Sequence, residues 1–171
     1  MERGTLIPVE EYLSTSYRPD REYVDGTLLE RNVGEWDHSK LQMLVSAYLY
    51  NRRKVLGVHV VPEQRVQVTP TRFRVPDVCV VAGREPDEQI LTSPPFLCVE
   101  ILSRDDRMSE MQERINDYLS FGVRYVWVID PRTKRAHAHT SEGSHEVKDA
   151  LRTENPEILV PLEELFAGSD G

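Results

Sequence analysis

The stretch between Pro95 and Ile129 constrains the fold most. An apolar run, Pro95-Phe-Leu-Cys-Val-Glu-Ile-Leu102, is followed by an amphipathic segment from about Arg107 to Ser120. A second apolar run, Arg124-Tyr-Val-Trp-Val-Ile129, comes next. The first run is too short and too punctuated for a helix and reads as a buried strand; the second reads the same way. Between them, Met108, Met111, Ile115, Tyr118 and Leu119 form a helical stripe that Gly122 ends. Asp105 or Asp106, or the box Ser109-x-x-Gln112, is the expected cap. A strand–helix–strand unit implies a mixed sheet with the crossover helix over one face.

The rest of the chain fits around that unit. A short helix is expected from Pro8 to Leu13, then a hairpin of strands at Glu22–Val24 and Leu28–Arg31 turning at Asp25-Gly26. Leu41, Leu44, Val45, Tyr48 and Leu49 define a helix from about Asp37 to Arg53, with Asp37 as its cap. Val58 to Val68 reads as strand, and Val78-Cys-Val-Val-Ala82 as a second buried one. Weaker strands near Arg135–Thr140 and Glu146–Asp149 suggest a terminal hairpin, followed by a strand near Ile158 and a short helix at Leu162–Phe166. The expected architecture is an α/β or α+β single domain over residues 1–171, its core at about 8–131 and the terminal hairpin and helix at 132–171.

Within that frame Glu100 is out of place. An ionised side chain is rarely buried in an apolar strand unless a charge or a metal compensates it. Asp77, straight after Pro76, stands at the entrance of the preceding apolar strand. Two acids on neighbouring strands could hold one divalent cation, Mg²⁺ or Mn²⁺, with positions left open for water and phosphate. Arg114 flanks the apolar stripe of the helix and could turn towards the strand end to neutralise charge on a phosphate, or snorkel and pair with Glu110 or Glu113.

Composition narrows the function classes. The 171 residues carry a net charge of −8, which weighs against a protein that coats itself in nucleic acid but leaves room for a local basic approach surface. Candidates are Arg52-Arg53-Lys54, Arg72 with Arg74, Arg104 with Arg107, and Arg132 with Lys134 and Arg135. Nothing approaches the ~20 apolar residues of a membrane span, and Met1–Ile7 lacks the apolar core of a secretory signal. The expected location is the cytoplasm, with Cys79 and Cys98 as reduced core thiols that could face each other across the sheet. His137 and His139 alternate onto one face of the terminal hairpin without a third zinc ligand at suitable spacing. Trp127 reads as core and Trp36 as a staple at a helix entrance.

Pro76-Asp77, Val99-Glu100-Ile-Leu-Ser103, Arg107 through Tyr118 and Gly122-Val-Arg-Tyr-Val-Trp127-Val-Ile-Asp130-Pro131, in that order, resemble the Uma-two family. These are restriction-endonuclease-like proteins of the PD-(D/E)XK superfamily. Glu22-Tyr-Val-Asp25-Gly26-Thr-Leu-Leu-Glu30 is similar to the family's early hairpin, and His38 sits where the family often has a histidine on its first long helix. The resemblance implies a Mg²⁺- or Mn²⁺-dependent DNA endonuclease with Asp77 and Glu100 on the metal, Glu22 or His38 helping to place a water, and Arg114 on the phosphate. Arg104 and Arg107 become candidate contacts to the DNA backbone. A homodimer would suit a cut across duplex DNA, and strand edges in the terminal hairpin offer one possible interface. The family's lysine, drawn from the helix after the glutamate, is replaced here by Arg114; two residues after Glu100 stands Leu102. Arginine stays charged and cannot shed a proton to act as a base. The alternative is therefore a degenerate nuclease fold that binds nucleic acid or protein without cutting.

Overall fold

The computed structural model describes residues 4–31 and 34–167. The parts of the expected 1–171 domain at 1–3, 32–33 and 168–171, including the start of the segment read as lacking a signal, lie outside the described residues. Helix α1 (Val9–Ser14) leads into the hairpin of β1 (Arg21–Val24) and β2 (Thr27–Glu30). Asp25 (φ 49°) and Gly26 (φ 94°) both adopt the positive φ of a two-residue turn matched to strand twist. The long helix α2 (Trp36–Leu56) follows, then β3 (Val58–Pro62), β4 (Val66–Thr69), β5 (Arg72–Arg74), β6 (Val78–Ala82) and β7 (Leu97–Ile101). The crossover helix α3 (Met108–Phe121) leads to β8 (Tyr125–Asp130), β9 (Arg135–Thr140) and β10 (Gly143–Val147). The described chain ends with β11 (Ala150–Thr153), β12 (Ile158–Pro161) and α4 (Leu162–Ala167).

A six-stranded sheet runs β10-β9-β8-β7-β6-β3; β7 and β8, joined by α3, are its parallel pair, and the other neighbours are antiparallel. Strand parity sorts its side chains. Val78, Val80, Leu97, Val99, Ile101, Trp127 and Ile129 join Leu41, Val45 and Leu49 of α2 in one core. Cys79, Cys98, Val126 and Val128 face the other way, against Met111, Ile115 and Tyr118 of α3. Cys79 and Cys98 are directly paired in register, buried and unbridged, as expected of core thiols. A second sheet, β2-β1-β5-β4, brings Val66 and Val68 to the α3 core and closes over α1 through Tyr12, Tyr23 and Phe73.

The structure corrects several local expectations. The single strand over 58–68 is two strands in different sheets; the chain turns between them, where Glu63 takes φ 50°, and β5 is an additional strand. Neither long helix has the expected side-chain cap. Glu35 and Arg107 occupy the N-cap positions, so Asp37 and the Ser109 box fall inside the helices, while Asp106 accepts bonds from Ser103 instead. Met108 is 80% exposed and Trp36 79% exposed, so neither packs as expected. The apolar contact of α3 starts one turn later, at Met111. The weak strand expected at 146–149 is β10, which starts earlier and ends at Val147, and β11 is a further strand paired with β12.

Gly122 ends α3 at φ 115°, where a built Cβ would lie 3.0 Å from Pro94 Cγ. Backbone strain and this contact act together, so Gly122→Ala is expected to lower stability by ~1–3 kcal/mol. The urea unfolding midpoint measures it; an unchanged midpoint would mean that the turn relaxes freely.

Candidate metal and phosphate site

Glu100 shares parity with Cys98, so its side chain leaves the α2 core and enters the α3 side of the sheet. There Tyr118 donates a hydrogen bond to Glu100 Oε1 at 2.7 Å. Asp77 stands one step beyond the Val78–Val99 pair of β6 and β7, which places it beside Glu100. Its backbone is pinned by α2, since Gln42 Nε2 donates to the Asp77 carbonyl at 2.9 Å. Its carboxylate is ringed by donors: the Ile101 amide at 2.7 Å, Arg31 Nη2 at 2.9 Å and His38 Nε2 at 3.3 Å. Glu22, Arg31, His38, Asp77, Glu100, Asp106 and Arg114 line one cavity of about 20 Å³, room for an occupant the size of a water or a cation.

The electrostatics are unbalanced at one point. Burial first, then the negative charge of Asp77, push Glu100 well above the usual carboxylate range; Arg114 and the Tyr118 hydroxyl pull the other way without prevailing. His38 is pushed down by burial, yet its hydrogen bond to Asp77 and that group's charge leave it above its ordinary value. Glu22 is almost fully buried, and both its oxygens are engaged. Oε1 accepts the Val75 amide at 3.0 Å, and Oε2 accepts Arg74 Nη1 at 2.9 Å and Arg114 Nε at 3.0 Å. Glu22 is thus an anchor for arginines here, with one bond on Oε1 and two on Oε2. Arg114 turns inward rather than pairing with Glu110 or Glu113, and also approaches Asp106 at 3.7 Å.

Of the residues singled out from sequence, Glu22, His38, Asp77, Glu100 and Arg114 meet at this cavity. Arg104 and Arg107 do not line it. Arg104 is largely exposed with its amide on Glu35, and Arg107 is exposed at the start of α3. Arg72 and Arg74, expected as a basic surface, are drawn into ion pairs with Asp25, Asp117 and Glu22. Sequence reasoning overlooked Arg31 and Asp106, which read as a strand end and a helix cap; only their place in the fold brings them to the cavity.

The donor set can be matched to a divalent cation. Among the described residues no group of three or more His, Cys, Asp or Glu is arranged to hold a metal. The protein ligands would be the two carboxylates of Asp77 and Glu100, with water completing the shell. Hard oxygen donors suit Mg²⁺ or Mn²⁺, and an acid held above its ordinary pKa first by burial and then by a neighbouring acid is a place where a cation relieves repulsion. The residues fit.

Residues 9–168 match a family model described as "Uma2: Putative restriction endonuclease". Among solved structures, the chain is similar to one described as "a putative nuclease belonging to DUF820" from Anabaena variabilis ATCC 29413. That similarity has 21% sequence identity, covers 95% of this chain and 98% of the other, and has a TM-score of 0.81. At this identity the likeness concerns the fold: a mixed sheet flanked by helices, as the sequence led one to expect. No curated protein matches the chain. Among the described residues no helix is long and apolar enough to cross a membrane.

Proposed function

The chain belongs to the Uma2 family, and from that premise we propose that it is a Mg²⁺- or Mn²⁺-dependent DNA endonuclease acting at the Asp77–Glu100 site. The observation that carries the reading is Glu100: 5% exposed, facing Asp77, and undercompensated by the cations around it. Such an arrangement is destabilising unless something positive is meant to bind there.

Each residue then has a task. Asp77 and Glu100 would hold the cation. Tyr118 fixes one oxygen of Glu100, and His38 with the Ile101 amide fixes Asp77 Oδ2. A bound cation supplies a water of lowered pKa and offsets negative charge on the phosphate. Arg114, held by Glu22, presents a permanent positive charge to the same cavity, suited to a phosphate oxygen and unsuited to taking a proton from water. We extend the reading to a cytoplasmic homodimer, since two symmetric sites suit the two strands of a duplex.

A second reading has specific support. The charge of Arg114 is fixed and Arg31 already sits on Asp77, which would suit a nuclease fold that binds without cutting. Calorimetric titration of Mg²⁺ and Mn²⁺ into wild type and Asp77→Asn, followed by incubation with supercoiled and single-stranded DNA, separates the two. Wild type is expected to bind metal and nick supercoiled DNA, and Asp77→Asn to do neither. Metal binding without nicking selects the binding-module reading. No metal binding by wild type sinks the site.

A further inference from the structure

We infer that Arg31 is a built-in competitor for the metal: its guanidinium holds Asp77 in the metal-free protein, and metal binding releases it to take a phosphodiester oxygen. The inference rests on the metal-site reading above. Arg31 follows β2 directly, yet its side chain is only 9% exposed and reaches across to the large sheet. Nη2 lies 2.9 Å from Asp77 Oδ1, and Nη1 lies 3.3 Å from Glu63 Oε1. The other oxygen of Asp77 is occupied by the Ile101 amide and by His38. A cation that takes Asp77 must therefore share or displace one of three donors.

The three donors differ in how readily they can yield. The Ile101 amide belongs to the central strand β7 and cannot leave without breaking the sheet. His38 stands in the first turn of α2, a helix whose packed face anchors it to the core. Arg31 is held by side-chain contacts alone as far as the site is concerned, and its second partner, Glu63, is half exposed. It can swing from Asp77 while keeping Glu63. Charge arithmetic favours the exchange, because a divalent ion on Asp77 and Glu100 makes the guanidinium redundant there. The freed Nη2 can then donate to a phosphodiester oxygen. Arg74 is less available for this, being tied to the buried Glu22 and to Asp117.

The prediction has an unusual sign. Removing a residue that lines the site should tighten metal binding, while a merely structural Arg31 would leave affinity unchanged or weaken it through a misplaced Asp77. Arg31→Met is expected to bind Mn²⁺ about tenfold more tightly than wild type by calorimetry without DNA, within the usual range of coupling between linked sites. With Ca²⁺ present, the same variant is expected to bind a short duplex about tenfold more weakly. If wild type binds Mn²⁺ and folded Arg31→Met binds it no more tightly, the exchange is overturned while the metal site stands. If wild type binds no metal, the metal-site reading itself falls. Should Arg31→Met fail to fold, Glu63→Gln decides. Loss of the outer partner leaves Arg31 wholly on Asp77, so Mn²⁺ affinity must drop by a few-fold, and an unchanged affinity overturns the inference.

Discussion

Glu100→Gln is expected to abolish DNA cleavage and yet melt at a higher temperature than wild type. The two effects share one cause. The carboxyl is buried beside Asp77, and burial followed by that negative charge hold its folded pKa well above the ordinary 4.5. The sign of the stability effect follows from linkage. Below the unfolded pKa the group is protonated in both states and carries no penalty. Above it the unfolded chain ionises while the folded one resists, so stability falls as pH rises until the folded pKa is passed. Glutamine keeps an oxygen for the Tyr118 hydroxyl and carries no charge. Metal-free Glu100→Gln should therefore be more stable by ~1–3 kcal/mol at pH 8, with the gain vanishing near pH 4. Removing a metal ligand forfeits several kcal/mol of transition-state stabilisation, about 10³-fold or more in rate. In wild type, Mn²⁺ must displace the Glu100 proton, so its affinity should rise with pH and its binding should release protons. Melting curves at pH 4 and pH 8 beside a nicking assay test the set. A variant that loses activity and also loses stability at pH 8 would mean that Glu100 is adequately compensated, and the site argument would fail with it.

How much of this was readable from sequence depends on what kind of signal each residue gives. Asp77 and Glu100 stand out because acids are rare in apolar strands, and parity then settles which face they take. Arg114 gains its meaning from its place beside the apolar stripe of Met111 and Tyr118, whereas His38, like Glu22, is singled out by the family resemblance. The strand and stripe signals are local. Arg31, Asp106, Arg74 and Asp117 give no such signal, because a charged residue at a strand end or a helix surface is the ordinary exposed case. The roles of Arg74, Asp117 and Arg31 come from distant partners, 43 and 52 positions away for Arg74 with Asp117 and Glu22 and 46 for Arg31 with Asp77. Asp106 pairs nearby, with Ser103 and Arg114. The second sheet was hidden for a related reason. Val58 to Val68 has the alternation of one strand, and only the turn at Glu63, with the pairing of β4 on β5, divides it between two sheets.

Arg74→Met is expected to be the most destabilising single change around the site, by ~3–5 kcal/mol, the range for breaking a buried ion pair from one side. Arg74 and Glu22 are each 1% exposed. The guanidinium bridges two acids from different elements, Glu22 of β1 at 2.9 Å through Nη1 and Asp117 of α3 at 2.7 Å through Nε. Its Nη2 is buried without a hydrogen-bond partner, 3.8 Å from Glu113, so the net value of the arginine lies in those two bonds. Methionine can fill the space but leaves Glu22 with Arg114 as its remaining cation and Asp117 with Arg72. Lysine would keep the charge, yet a single ammonium cannot reproduce a fork that spans both acids, so Arg74→Lys should recover little. The double variant Glu22→Gln/Arg74→Met should be more stable than the sum of the single losses predicts, by ~0.5–3 kcal/mol, because the orphaned carboxylate is gone. Urea unfolding of the four proteins closes that cycle. A loss below ~1 kcal/mol for Arg74→Met would place the pair among surface ion pairs. The position of Arg114 would then depend on α3 packing alone, and Glu22 could not be its anchor. A large loss with positive coupling would make the buried Glu22–Arg74–Asp117 chain the support that holds the phosphate-facing arginine against the sheet.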